Sequence, residues 1–167
     1  MEEDKKRRRL DPALQELKAA QDAKVPIVRL LASPDSYPFQ EKVLRVTDSL
    51  NIGRSNLADI KNGLFECPQL SATHATINYK DGSFTIFDSK SKNGSYLNDD
   101  KFDATPVQIF CGDKLQFGSV GFNRKGMVSK PIIAFVNVFD SCGMDIYRPK
   151  KEENENETES TVSQEQF

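Results

Sequence analysis

Residues 74–89, HATINYKDGSFTIFDS, constrain the fold more than any other stretch of the chain. Two runs alternate apolar and polar residues on either side of Asp81-Gly82. Period-two alternation puts one face in a core and the other in solvent, the pattern of a half-buried strand. Asp-Gly suits the positive-φ positions of a type I′ turn. The stretch therefore reads as a β-hairpin.

Other segments carry the same signature. VPIVRLLA (25–32) is a β-branched run followed by the turn-rich SPDSYP, and KVLRV (42–46) and LNIGR (50–54) come next. GSYLNDDKF (94–102) predicts a second short hairpin with Asn98, Asp99 and Asp100 at its tip. VQIFCGDKLQFG (107–118) predicts a third, turning at Gly112-Asp113. IIAFVNVF (132–139) is long and β-rich enough to be a last central strand. Many short strands with polar turns and no amphipathic helix between them indicate an all-β sandwich or barrel. No internal repeat is evident.

The flanks differ from this middle part. Residues 1–24 form a basic and helical arm: KKRRR at 5–9 is followed by DPALQELKAAQDAK. Asp11 suits a helix cap and Pro12 the first helical position. Leu10, Leu14 and Leu17 form a narrow apolar stripe. Residues 150–167 carry two Lys and six Glu and almost no bulky apolar residue, so they read as a disordered acidic tail. Thr158, Thr161 and Ser163 make that tail a candidate for phosphorylation. Residues 25–149 are then the single folded domain, which the 167-residue length accommodates.

Several functions are disfavoured on chemical grounds. A net charge of −2 gives no global attraction to nucleic acid or anionic membrane. KKRRR could serve as a nuclear-localisation signal or a phosphate-backbone arm, but no aromatic residues interleave it for base stacking. No apolar run approaches the ~20 residues of a transmembrane helix, and the N-terminus lacks the apolar core of a secretory signal. Cys67, Cys111 and Cys142 are odd in number and widely spaced, which suits reduced thiols in an intracellular protein, cytoplasmic or nuclear. One histidine and scattered cysteines do not make a metal site, and no cofactor is expected. Glycine-rich nucleotide loops are missing. Ser71 and His74 lie three apart, yet no G-x-S-x-G elbow surrounds the serine, so the chain does not read as an enzyme.

Three polar loops stand out: the one after IGR (52–54), LSATH (70–74) and SKSKNGSYLN (89–98). Loops of a sandwich gather at its two ends, so Arg54, Ser71, Lys92 and Asn93 can converge. They would supply a guanidinium, a hydroxyl, an ammonium and an amide, the donor set for a phosphate monoester dianion. Taken singly, each also reads as a solvated surface residue.

The combined pattern resembles the forkhead-associated (FHA) domain. Its blocks are Gly53-Arg54, Ser71-Ala72-Thr73-His74, Asn93-Gly94-Ser95-Tyr96-Leu97-Asn98 and Gly112-Asp113-Lys114-Leu115-Gln116-Phe117-Gly118, in family order. The resemblance implies an eleven-stranded β-sandwich that binds phosphothreonine peptides through loops at one end and is not an enzyme. Arg54 and Ser71 would contact the phosphate and Asn93 the peptide backbone. Gly53, His74, Gly94 and Asn98 would structure the site. Lys92 replaces the Ser or Thr that relatives often carry. Ala72 and Gln69 replace residues that often supply extra donors, and with Ser55 they are the positions expected to set peptide preference. The partner implied is a phosphorylated protein, a kinase or an assembly factor among the candidates, with no small-molecule substrate. The departures at Ala72 and Gln69 keep open a docking domain that ignores phosphate.

Overall fold

A computed structural model describes residues 12–54, 63–122 and 124–149. KKRRR, Leu10, Asp11, Ser55 and the acidic tail lie outside the described residues. Helix α1 (Pro12–Asp22) is followed by β1 (Ile27–Ala32), β2 (Lys42–Arg45), β3 (Ser49–Ile52), β4 (Ala75–Lys80), β5 (Ser83–Asp88) and β6 (Ser95–Leu97). The chain continues through β7 (Asp100–Phe102), β8 (Val107–Ile109), β9 (Lys114–Phe117), β10 (Gly121–Phe122), β11 (Val128–Ser129) and β12 (Ile132–Phe139).

The strands form an antiparallel β-sandwich. One sheet has the order β2-β1-β12-β9-β6-β7 and the other β3-β4-β5-β8. β10 and β11 pair in a separate two-residue ribbon, so twelve short strands stand where the family pattern implied eleven. The 74–89 stretch forms the β4–β5 hairpin, with φ of 53° at Asp81 and 79° at Gly82. Both values fit the type I′ turn that its sequence calls for.

Alternation sorts the side chains. β5 alternates half-buried and buried residues along its whole length. Leu30, Leu44, Ile52, Ile77, Phe84, Ile86, Leu115 and Phe117 fill the space between the sheets. Each such side chain contributes roughly 1.5–3 kcal/mol by leaving water.

Two expectations need correction. VQIFCGDKLQFG is not a hairpin: β8 pairs with β5 in one sheet, and β9 pairs with β12 and β6 in the other. Asp113 accepts the Phe110 amide at 2.9 Å and fixes a tight turn, but the turn carries the chain across the core. The arm's apolar stripe is also different. Ala13, Leu17 and Ala20 pack on Ile27, Val43 and Phe139, while Leu14 is exposed. The i, i+4, i+7 face wins because small alanines let the helix lie close to the sheet. Among the described residues no helix is long and apolar enough to cross a membrane.

Register sets the position of the loops. Ala75 pairs with both Ile52 and Asp88, so β3 ends, β4 begins and β5 ends at one rim. In the facing sheet Phe117 pairs with Ser95 and Ile132, so β6 and β12 begin and β9 ends at that rim. The segment 89–94 crosses there from β5 to β6, and the β10–β11 ribbon follows β9.

Candidate functional site at the loop rim

Gly53 and Arg54 follow β3 directly, and Ser71 lies just before β4. At Gly53 the chain passes so close to Ala72 that any Cβ would collide with its carbonyl oxygen, which demands glycine. Beside that contact, the Arg54 amide donates to the Ser71 carbonyl at 3.0 Å, and Arg54 Nε donates to the Leu70 carbonyl at 2.8 Å. The guanidinium thus spends one donor on positioning. Its two terminal amino groups have no partner among the described residues and remain at the exposed surface.

Loop 89–94 is tied to the same short segment. The Lys92 amide donates to Ser71 Oγ at 2.9 Å, and Asn93 Nδ2 donates to the Gln69 carbonyl at 2.8 Å. Because Ser71 Oγ accepts that bond, its own hydroxyl proton stays available for an acceptor outside. The Lys92 ammonium is exposed and makes no ion pair among the described residues. Arg54, Ser71, Lys92 and Asn93 are therefore gathered by backbone bonds through residues 69–71.

His74 supports this arrangement from below. It is wholly buried, with its ring edge against Phe117 at 5.4 Å. The Ser71 amide donates to Nδ1 at 3.1 Å, so Nδ1 carries no proton. The proton must sit on Nε2, which donates to the Gly94 carbonyl at 2.8 Å. Burial pushes the imidazole below its usual value, against the opposing pull of the Gly94 carbonyl and Asp88. Both ring nitrogens are engaged with backbone, and the serine hydroxyl faces elsewhere. The pair lacks the serine-to-imidazole bond of an activated nucleophile.

Gly94 holds a φ of +88°, and its carbonyl also accepts the Gly118 amide at 2.8 Å. One residue thereby joins the crossing loop to β9 and to His74.

Sequence reasoning missed a brace inside that loop. The Asp88 carboxylate accepts the Ser91 amide at 2.7 Å, Ser91 Oγ at 2.6 Å and Ser95 Oγ at 2.5 Å. Ser91 Oγ accepts the Gly94 amide at 3.0 Å. Burial alone would raise the Asp88 pKa, but the hydrogen bonds from Ser91 and Ser95 outweigh it and hold it below the ordinary value. The available signal was a serine three residues after an aspartate, where a side chain can fold the backbone back on itself.

With the geometry described, comparison with known proteins becomes informative. Residues 50–118 match the FHA domain family. The chain carries an FHA domain. Sarcolemmal membrane-associated protein of Oryctolagus cuniculus is 32% identical over 124 residues, covering 67% of this chain and 16% of that protein. The Homo sapiens protein of the same name has the same identity, with 15% of its length covered. The chain thus spans about a sixth of the length of the curated relatives it matches. Among solved structures, the FHA domain of an Arabidopsis thaliana protein superposes with a TM-score of 0.51 at 20% identity, covering 77% of this chain and 92% of that one. An engineered FHA domain with a Myc-pTBD peptide gives 0.50 at 15%, covering 67% and 92%. These two likenesses show the fold, and the FHA domain is a protein-interaction module.

Three of the expected site positions sit differently within this FHA domain. Gln69 is buried, and its side chain is turned to the β10–β11 ribbon: Nε2 donates to Ser129 O and Oγ at 3.0 and 2.9 Å. Its Oε1 accepts the Ser119 amide at 2.9 Å. It braces the rim and has no spare group to read a ligand's charge. Asn98 lies at the far end of β6, where it accepts the Lys114 amide at 2.9 Å and donates to Asp113 at 3.1 Å. It structures the β6–β7 turn and not the rim. Ala72 is exposed beside Ser71, but its methyl group offers a ligand no donor. Gln69, Lys92 and Asn93 also line a groove that continues to Ser119, Phe122 and Arg124.

Proposed function

We propose that this FHA domain binds phosphothreonine segments of partner proteins at the loop rim. The supporting observation is the tie through residues 69–71, which gathers the donors of Arg54, Ser71, Lys92 and Asn93 while leaving their outward groups uncommitted. Two of the four are cations. A phosphothreonine brings about −1.5 to −2 charges and three acceptor oxygens. In this reading Arg54 and Ser71 hold the phosphate, Lys92 adds charge, and Asn93 holds the backbone of an extended peptide.

Because the donors are fixed before binding, little ordering entropy is lost when a ligand arrives. Hydrogen bonds to a charged group contribute roughly 1.5–3 kcal/mol each. Arg54→Ala should therefore weaken a phosphothreonine peptide by about 30- to 1000-fold. Ser71→Ala should weaken binding with little change in thermal stability. Fluorescence anisotropy with matched phosphorylated and unphosphorylated library peptides tests the reading. Equal affinity for the two forms, or full binding by Arg54→Ala, would refute it.

A further inference from the structure

The β10–β11 ribbon is the least expected surface of the molecule. Phe122 and Val128 are 76% and 58% exposed, and Val120 and Met127 beside them are also open to solvent. Isolated exposed apolar residues are ordinary, but a contiguous group of them marks a contact surface. Phe122 and Val128 are direct cross-strand partners and share one face of the ribbon. The neighbouring pair, Gly121 and Ser129, shows the opposite face, and Ser129 is held there by Gln69.

Gln69 makes this a built surface. One side-chain amide bonds the chain before β10, at Ser119, and the chain within β11, at Ser129. The backbone carbonyl of Gln69 holds Asn93, and two residues later Ser71 Oγ holds the Lys92 amide. The ribbon and the phosphate-facing loops therefore share a single anchor. They also share the groove that runs from Lys92 and Asn93 to Phe122 and Arg124.

We propose that the Phe122–Val128 face is a specificity surface that takes a bulky apolar side chain of the bound segment, a few residues from its phosphothreonine. The proposal rests on the phosphothreonine reading above. The occupant follows from the groove. Lys92 and Arg124 line it and favour a ligand carrying an anion, while its far wall is apolar. Four side chains fall well short of the ~800 Å² per partner that a stable protein interface buries, so the patch fits a short segment better than a second copy. An extended segment held at Asn93 would run along this groove, and its alternate side chains would point to one wall.

A phosphothreonine peptide library with flanking positions randomised tests this on the full chain. Wild type should enrich Leu, Ile, Met or Phe at one flanking position. The best peptide should bind about tenfold tighter than the same peptide with Ser there. Phe122→Ser and Val128→Ser, both at exposed sites, should each erase most of that ratio while leaving the preference for phosphorylated over unphosphorylated peptide intact. Phosphate-dependent binding with no apolar enrichment, or enrichment that survives both substitutions, overturns the proposal alone. Equal binding of phosphorylated and unphosphorylated peptides by the wild type overturns the phosphothreonine reading and this proposal with it. A dimer in sedimentation that Phe122→Ser dissolves would assign the face to self-association and also overturn it.

Discussion

At His74 the two ring nitrogens have opposite duties, one accepting from Ser71 and the other donating to Gly94. Protonation would put a second N–H against the Ser71 amide and break the acceptor side of the bridge. Burial is the main reason the folded ring titrates below its ordinary value of about 6.5. Between the two values the unfolded chain binds a proton that the folded chain does not. Stability is then fully present above about pH 6.5 and is lost as pH falls through the folded value. Asp88 is held below its ordinary value of about 3.9, so its contribution begins to fail only in more acid solution. Thermal melts from pH 7.5 to 4.5 should show a falling Tm in the wild type. His74→Asn should have a lower Tm at pH 7.5 and a flatter profile. A wild-type profile as flat as the variant's would contradict the assigned tautomer. The rim was partly legible in sequence, since the ordered blocks mark Arg54, Ser71, Lys92 and Asn93. What holds them together was not: Gln69 and Asp88 act through partners that strand register, and not sequence spacing, brings within reach.

Among the elements, the hairpins declare themselves and the crossings do not. Asp81-Gly82 and Asn98-Asp99 both hold the positive φ values of tight turns, and both close hairpins. Gly112-Asp113 looks the same on paper, because a tight turn gives no sign of which sheet the next strand joins. Only the partners of β8 and β9 decide it. Helix α1 offers the converse lesson. Its leucines suggested the buried stripe, but Ala20 sits at its fully buried contact point. Ala20→Asp would place an unpaired charge between α1, Ile27 and Val43. It should cost about 2–3 kcal/mol, visible as a lower Tm. Peptide affinity should hold, because Ile27 pairs with Phe139 at the end of the sandwich away from the rim.

Viewed whole, the domain has two poles with different work. The rim gathers Arg54, Ser71, Lys92, Asn93 and the ribbon. The opposite pole is organised by Asp113, whose buried carboxylate accepts the Phe110 amide, Asn98 Nδ2 and Arg148 Nη2. Arg148 also lies over the Phe110 ring at 4.5 Å. Half of the arginine side chain is in water, so the ion pair contributes about 1 kcal/mol or less. Arg148→Ala should lower Tm by roughly 2–4 °C. Peptide affinity should stay at the wild-type value, and a large loss would show that the poles are coupled.

The Arg148 clamp also decides how far the chain can turn back on itself. β12 runs the length of the sandwich, eight residues from Ile132 at the rim to Phe139 near the clamp, or about 26 Å at strand rise. Whatever follows Pro149 starts its journey at the wrong end. About eight residues pulled straight are needed merely to draw level with Ser71. Thr158 is nine residues beyond Pro149, so it could arrive only taut, with no slack left to lie along the groove. The clamp moors the adjoining chain out of easy reach and leaves the rim to other molecules.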